Sequence, residues 1–149
     1  MSGGFLRIRF VDYGDGTGEL IANAGSNDFS GTGRAYFNIE EIEKFADSIA
    51  DLSVANELHS IAGGFWKTDR RHELDQVHLG VSVYPIDSRG HIGVQVRMAT
   101  PIHSGERPKS QHSAIVELLT THAPLERFGR GVIAVLRGNA EKAVLSSDT

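Results

Sequence analysis

HLGVSVYPIDSRGHIGVQVRM, residues 78–98, is the stretch that decides the fold. Apolar residues take the odd positions in its first half and the even positions in its second half, the period-two pattern of two half-buried strands. A turn at residues 87–90 joins the two strands and sets a register that brings both apolar sets to the same side. The predicted pairs are Leu79 with Met98, Val81 with Val96, and Val83 with Val94.

The opposite face of this hairpin is polar. It carries His78, Ser82, Tyr84, His91, Gln95 and Arg97. His91 lies beside the turn, roughly 14 Å from His78 at the rise of a strand, so the two cannot share a metal ion. The polar, proline-containing loop 100–111 adjoins this face. With the helices expected on the apolar side, we predict an open binding face on the polar side. Its predicted residues are His78, Ser82, Tyr84, Gln95, Arg97, Arg107 and Lys109.

Two stretches show the three-and-four spacing of an amphipathic helix. The first helix is predicted over 39–52, after the N-cap residue Asn38, with Glu41 placed as in a capping box. The second is predicted over 122–137. The two apolar stripes lie 83 positions apart and consist of Ile42, Phe45, Ile49 and Leu52 in the first, and Leu125, Phe128, Val132 and Val135 in the second.

Short alternating runs between turn residues predict seven strands. They lie at about 5–13, 18–24, 29–37, 58–67, 75–85, 90–99 and 111–120. Short connections favour antiparallel pairing with the helices on one face. The predicted fold class is therefore α+β, with a mainly antiparallel sheet of about seven strands and two helices. Since each helix directly follows a strand, we also predict two related halves, each a β-meander closed by a helix.

Two further expectations concern packing and chain ends. Gly31, Gly33 and Ala35 share one face of a predicted strand, which indicates close approach of another backbone. Residues 1–149 are expected to form one domain, with frayed termini at 1–4 and 139–149. Within that tail, the short apolar segment AVL (143–145) is able to dock.

Composition narrows the class of protein. The formal charge of −4 argues against a dominant phosphate-binding role, so no nucleic-acid partner is expected. The chain has no cysteine, which excludes disulfides, thiolate zinc sites and cysteine nucleophiles. No apolar run approaches the length of a membrane span, and no signal-peptide core follows the N-terminus. We expect a soluble, cytoplasmic, bacterial domain without a membrane partner.

Two groups of histidines are candidates for metal binding or catalysis. HELDQVH (72–78) brings His72, Glu73, Asp75 and His78 into one segment, a candidate divalent-metal cluster whose alternative is a set of solvated polar side chains. His103 and His112 flank a segment with Glu106, Arg107 and Lys109, a candidate place for a catalytic base whose alternative is again a set of solvated polar side chains. No nucleotide-binding, metalloprotease or nucleophile-elbow motif occurs. We therefore predict no metal, no cofactor and no catalytic residue.

The segment FSGTGRAYFNIEEIEKFADSIADL (29–52) carries a family resemblance. A strand of small residues leads through an N-cap into a helix with Phe-x-x-x-Ile, and GHIGVQVRM (90–98) follows as a later strand. This arrangement resembles WapI-type immunity proteins of bacterial contact-dependent toxin systems and related families. The resemblance implies an α+β domain without catalysis that binds a protein.

Three functions remain open from the sequence. The leading hypothesis is a non-enzymatic domain that binds a protein partner or a second copy of itself, with immunity-type toxin inhibition as one version. The second is a small enzyme that uses the histidine-rich polar face. The third is a structural or oligomerising module.

Overall fold

The computed structural model describes residues 3–51 and 58–147 and confirms the α+β class with antiparallel sheets. Both predicted helices and all seven predicted strands are present, and an eighth strand follows the second helix. In chain order the elements are β1 (Phe5–Asp12), β2 (Thr17–Ser26), β3 (Phe29–Asn38), α1 (Ile39–Ala50), β4 (His59–Trp66), β5 (Leu74–Pro85), β6 (Ile92–Ala99), a short 3-10 turn (Pro108–Ser110), β7 (Ser113–Thr120), α2 (His122–Leu136) and β8 (Ala143–Ser146).

The strands form two four-stranded sheets instead of one sheet of about seven strands. The first sheet has the order β3-β2-β1-β8, and the second has the order β4-β5-β6-β7. The predicted hairpin register is confirmed, because Val81 pairs with Val96 and Val83 with Val94. The turn at 87–90 is confirmed as well, with Gly90 at the positive φ of 89° that favours glycine.

The small residues of β3 explain why there are two sheets. An added Cβ at Gly33 would lie 2.6 Å from the carbonyl oxygen of His78 in β5, so the two backbones are nearly in contact. At Gly31 an added Cβ would lie 3.4 Å from the methyl group of Ala114 in β7. The strand β3 therefore crosses the inner face of the second sheet, as its small-residue face predicted.

The two helices pack against each other and cover the rest of the core. Ile42, Ile49 and the predicted stripe of α2 are buried, as expected. Phe45 was predicted to be buried but is only partly so, because Ala46 beside it faces α2 directly and is fully buried. The predicted stripe residue Leu52 lies outside the described residues. Neither helix in the described ranges is long and apolar enough to cross a membrane.

The expectation of a frayed tail from 139 onward is wrong for residues 143–147. The segment predicted to dock forms β8, which pairs with β1 and buries Ala143 and Leu145. Ser147 continues this contact by donating its backbone N–H to the carbonyl of Gly4 at 2.8 Å. The physical reason is the alternation of AVLS, which offers two apolar side chains to the core at one edge of the first sheet.

The chain shows a structural repeat with exchanged strands. The order β1-β2-β3-α1-β4 recurs as β5-β6-β7-α2-β8, and the last strand of each unit joins the sheet of the other. The N-cap residues Asn38 and Thr121 hold the same place in the two units. The units differ between their second and third strands. β2 and β3 are joined by the tight turn 27–28, whereas β6 and β7 are joined by residues 100–112.

Candidate binding site

The 100–112 connection folds back against the end of the second sheet and is fastened to β5 by Gln76. The side chain of Gln76 donates from Nε2 to the carbonyl of Ile102 at 2.8 Å, and its Oε1 accepts from the N–H of Ile102 at 3.0 Å. These two bonds satisfy both backbone groups of Ile102 with one side chain of β5. The loop position is therefore set by a residue on a neighbouring strand.

His78 lies beneath this loop and is not part of an open face. Its side chain is buried, at 3% exposure, and the ring of Phe65 packs edge-on against it with centroids 4.5 Å apart. Its Nε2 lies 2.9 Å from Oε1 of Gln76, so Nε2 carries the proton and donates. Burial lowers the pKa of His78, and the neighbouring His103 lowers it further. The prediction of His78 as an exposed binding residue is wrong. The pairing of β4 with β5 skips His78, which breaks the alternation of the strand there, and Phe65 and Gln76 contact its ring.

A cleft of about 470 Å³ opens between the loop and the sheet. On the sheet side it is walled by the exposed Arg97 of β6 and by Ile115 of β7, which is 59% exposed. Ile102, Pro108 and Gln111 form the loop side. The cleft thus combines apolar walls with a few polar groups, which is the usual make-up of a binding site.

Cations outnumber carboxylates around this cleft. Arg97 lines it, and the exposed Arg107 and Lys109 flank Pro108 on the loop. None of these three is in an ion pair with any residue of the described chain. The carboxylates nearby are Asp75 of the lining and Glu106, which precedes Arg107 on the loop and accepts from the N–H of His103 at 2.7 Å. The rim therefore favours an acidic ligand.

The remaining predicted residues lie further along the same face. Ser82 and Gln95 are partly buried in adjacent positions of β5 and β6. Tyr84 donates its hydroxyl to the carboxylate of Glu117 on β7. Burial first, then this hydrogen bond and the carboxylate charge, raise the pKa of Tyr84 to about 12, so the phenol stays protonated.

The far end of the hairpin is a separate group. Nδ1 of His91 lies 2.6 Å from Oδ2 of Asp87 in the turn. This hydrogen bond is the main reason why the pKa of Asp87 lies below its ordinary value. The pair closes the turn and lies outside the cleft, whose lining contains neither residue.

The candidate metal cluster at 72–78 does not come together. Nε2 of His72 lies 3.8 Å from the carboxylate of Glu73, but Asp75 is exposed and His78 is bonded to Gln76. Across the described ranges, no three His, Asp or Glu side chains are grouped so that they could hold a metal ion. His103 is held near Phe65, with ring centroids 5.4 Å apart.

Sequence reasoning predicted Arg97 but missed the other residues that build the cleft. Gln76 lies beyond a break in the alternation of β5, because β4 pairs Gly63 with Leu79 and Gly64 with Val77 and so skips His78. Ile102, Pro108 and Gln111 carried no periodic signal, because a loop has no period. Comparison of the chain with known protein families, curated proteins and solved structures gave no match.

Proposed function

We propose that this protein is a non-enzymatic binding domain whose cleft takes an acidic segment of a partner protein. The observation that carries the proposal is the loop that one unit has and the other lacks. A two-residue turn joins β2 to β3, so the repeat itself does not require the 13 residues at 100–112. The longer connection builds one wall of the cleft and carries Arg107 and Lys109 on either side of the lining residue Pro108.

The polar groups on this face support binding more than catalysis. Tyr84 is engaged with Glu117, and His78 is buried against Gln76. A general base needs a side chain within reach of the substrate proton, and these two groups are committed to partners of the protein itself. Arg97 remains exposed on the cleft wall, and an arginine there suits recognition of a carboxylate.

An immunity-type inhibitor of a bacterial toxin is one specific form of this proposal. It follows from the resemblance of the segments 29–52 and 90–98 to WapI-type proteins. With a cationic cleft rim, the toxin surface in contact would be acidic.

The test uses a charge reversal with a matched control. Purified wild-type protein, Arg97→Glu and Arg89→Glu are each used to capture partners from a lysate of the source organism, and the captured protein is then purified and titrated calorimetrically. Arg89 is exposed in the hairpin turn and outside the cleft, so it matches Arg97 in charge but not in place. We expect Arg97→Glu to weaken binding about tenfold or more. Binding of the wild-type protein should weaken as salt is added, and Arg89→Glu should keep both the wild-type affinity and this salt dependence.

Equal affinities for the two variants would contradict the proposal. A wild-type protein that captures nothing but sediments as a stable dimer would favour the oligomerising alternative instead.

A further inference from the structure

The strand β7 forms one edge of the second sheet, and its hydrogen-bonding groups on that edge can be identified. The N–H of Thr100 bonds to the carbonyl of His112 at 2.9 Å, which continues the β6–β7 ladder by one residue. Backbone groups of alternate residues point to opposite sides of a strand. The even-numbered residues of β7 therefore face β6, and the groups of Ser113, Ile115, Glu117 and Leu119 face outward.

One of these outward positions is already satisfied by the chain. The hydroxyl of Ser147 accepts from the N–H of Leu119 at 3.3 Å and donates to the carbonyl of Leu119 at 2.7 Å. It makes the two bonds that a paired strand would make there. Within residues 3–51 and 58–147, no partner is present for the outward groups of Ile115 and Glu117.

This edge lacks the usual protection against strand pairing. β7 contains no proline, no lysine and no register shift, whereas β4 at the other edge of the sheet has two irregularities. Such features commonly prevent natural edge strands from pairing with another chain. The only charge on β7, Glu117, is held by Tyr84 on the face of the sheet.

The cleft lies at the end of the same strand. Ser113 and Ile115 line it, and Arg97 is the direct cross-strand neighbour of Ile115. A chain that follows the edge of β7 would therefore pass the apolar wall and the cations of the rim.

We propose that the partner segment binds in extended form, as a fifth strand of the second sheet beside β7, with acidic side chains near Arg97. This proposal rests on the proposed function and specifies its ligand. Backbone bonds to Ile115 and Glu117 would fix the extended conformation, and the rim cations would select acidic side chains. The other long edge strand, β3, lacks an adjoining loop, and its Arg34 is paired with Glu19 at 3.7 Å.

The experiment uses a designed strand as a probe. The probe is a fluorescein-labelled peptide, acetyl-Glu-Val-Glu-Val-Glu-Val-Glu-amide, and its binding to the wild-type protein is followed by fluorescence anisotropy. A second peptide has the amides of alternate residues methylated, which removes donors without changing charge, and a third has lysine in place of glutamate.

Two proline variants test the edge from the side of the protein. Ile115→Pro removes an outward N–H but no ladder bond to β6, so the sheet is kept. Thr32→Pro is the matched control, because Thr32 lies 83 positions before Ile115 and has the same place in β3. Melting temperatures of both variants are measured to verify folding, and the methylated peptide tests the same bonds on wild-type protein.

We expect saturable binding of the acidic peptide, weakened about tenfold by Ile115→Pro or by methylation and unchanged by Thr32→Pro. The lysine peptide should bind more weakly than the acidic one. Undiminished binding by Ile115→Pro or by the methylated peptide would overturn strand addition. If Arg97→Glu still weakened binding in that case, the cleft would bind an acidic segment as proposed above, but not by strand addition.

If the acidic peptide shows no saturable binding, and Arg97→Glu does not change the affinity for any captured partner, both proposals are wrong. Sedimentation at rising protein concentration tests whether a second copy of the chain binds at this edge instead. A dimer that Ile115→Pro abolishes would show that a second copy occupies the edge, and would overturn the partner proposed here.

Discussion

Replacing Gln76 by alanine should release the loop that forms one wall of the cleft. The substitution removes two hydrogen bonds to the backbone of Ile102 and the acceptor of His78. Each such bond contributes about 0.5–1.5 kcal/mol, and leaving the buried N–H of His78 unpaired costs about 1–3 kcal/mol. The groups of Ile102 recover part of their loss by hydration once the loop lifts. We therefore expect a decrease of about 2–3 kcal/mol in the free energy of unfolding.

Gln95→Ala is the matched control for this prediction. Gln95 lies on the neighbouring strand and is also partly buried, but it forms no hydrogen bond within the described chain. Its loss should cost about 0.5 kcal/mol or less. Urea unfolding measures the stabilities, and hydrogen exchange of the Ile102 amide reports on the loop. Equal stabilities for the two variants, with unchanged exchange at Ile102, would refute the assignment of Gln76 as the fastening residue.

Three other expectations concern the core, the helix crossing and pH. Phe128→Ala should cost about 3–5 kcal/mol by urea unfolding, and Phe45→Ala about 1–3 kcal/mol because its ring is partly exposed; the opposite order would contradict the burial described. Gly129→Ala should destabilise by about 1–3 kcal/mol, since its Cβ would lie 2.8 Å from a carbonyl oxygen of α1, whereas Gly131→Ala, 3.2 Å from the nearest methyl, should stay within about 0.5 kcal/mol of wild type. The lowered pKa of His78 means that the unfolded chain binds the proton more readily, so stability is fully present above its unfolded value of 6.5 and is lost as the pH falls through the folded pKa. His78→Gln should reduce this slope in urea midpoints measured below pH 6.5, and parallel slopes would show that another group is responsible.

The sequence predicted what is local and periodic. The hairpin register followed from the parity of Val81 and Val94 together with a turn of fixed length, and α1 followed from its stripe after Asn38. Gly33 indicated the close approach of another backbone, but periodicity does not predict which strand or sheet that backbone belongs to. The burial of His78 was missed because the pairing of β4 with β5 skips this residue, and because its contact with Phe65 lies between two strands that are separate in sequence. A face that looks polar along one strand can still be covered by a distant segment.

Strand exchange between the two units has a consequence for the order of folding. The first sheet is complete only when Leu145 reaches Leu6, which requires nearly the whole described chain to have been synthesised. Such long-range pairing slows folding, because loop-closure entropy is lost before the contact forms. Until β8 arrives, β1 is an open edge during translation, exposed to other nascent chains. Arg7 and Arg9, which alternate along its outer face, are placed where charge would discourage those chains from pairing there.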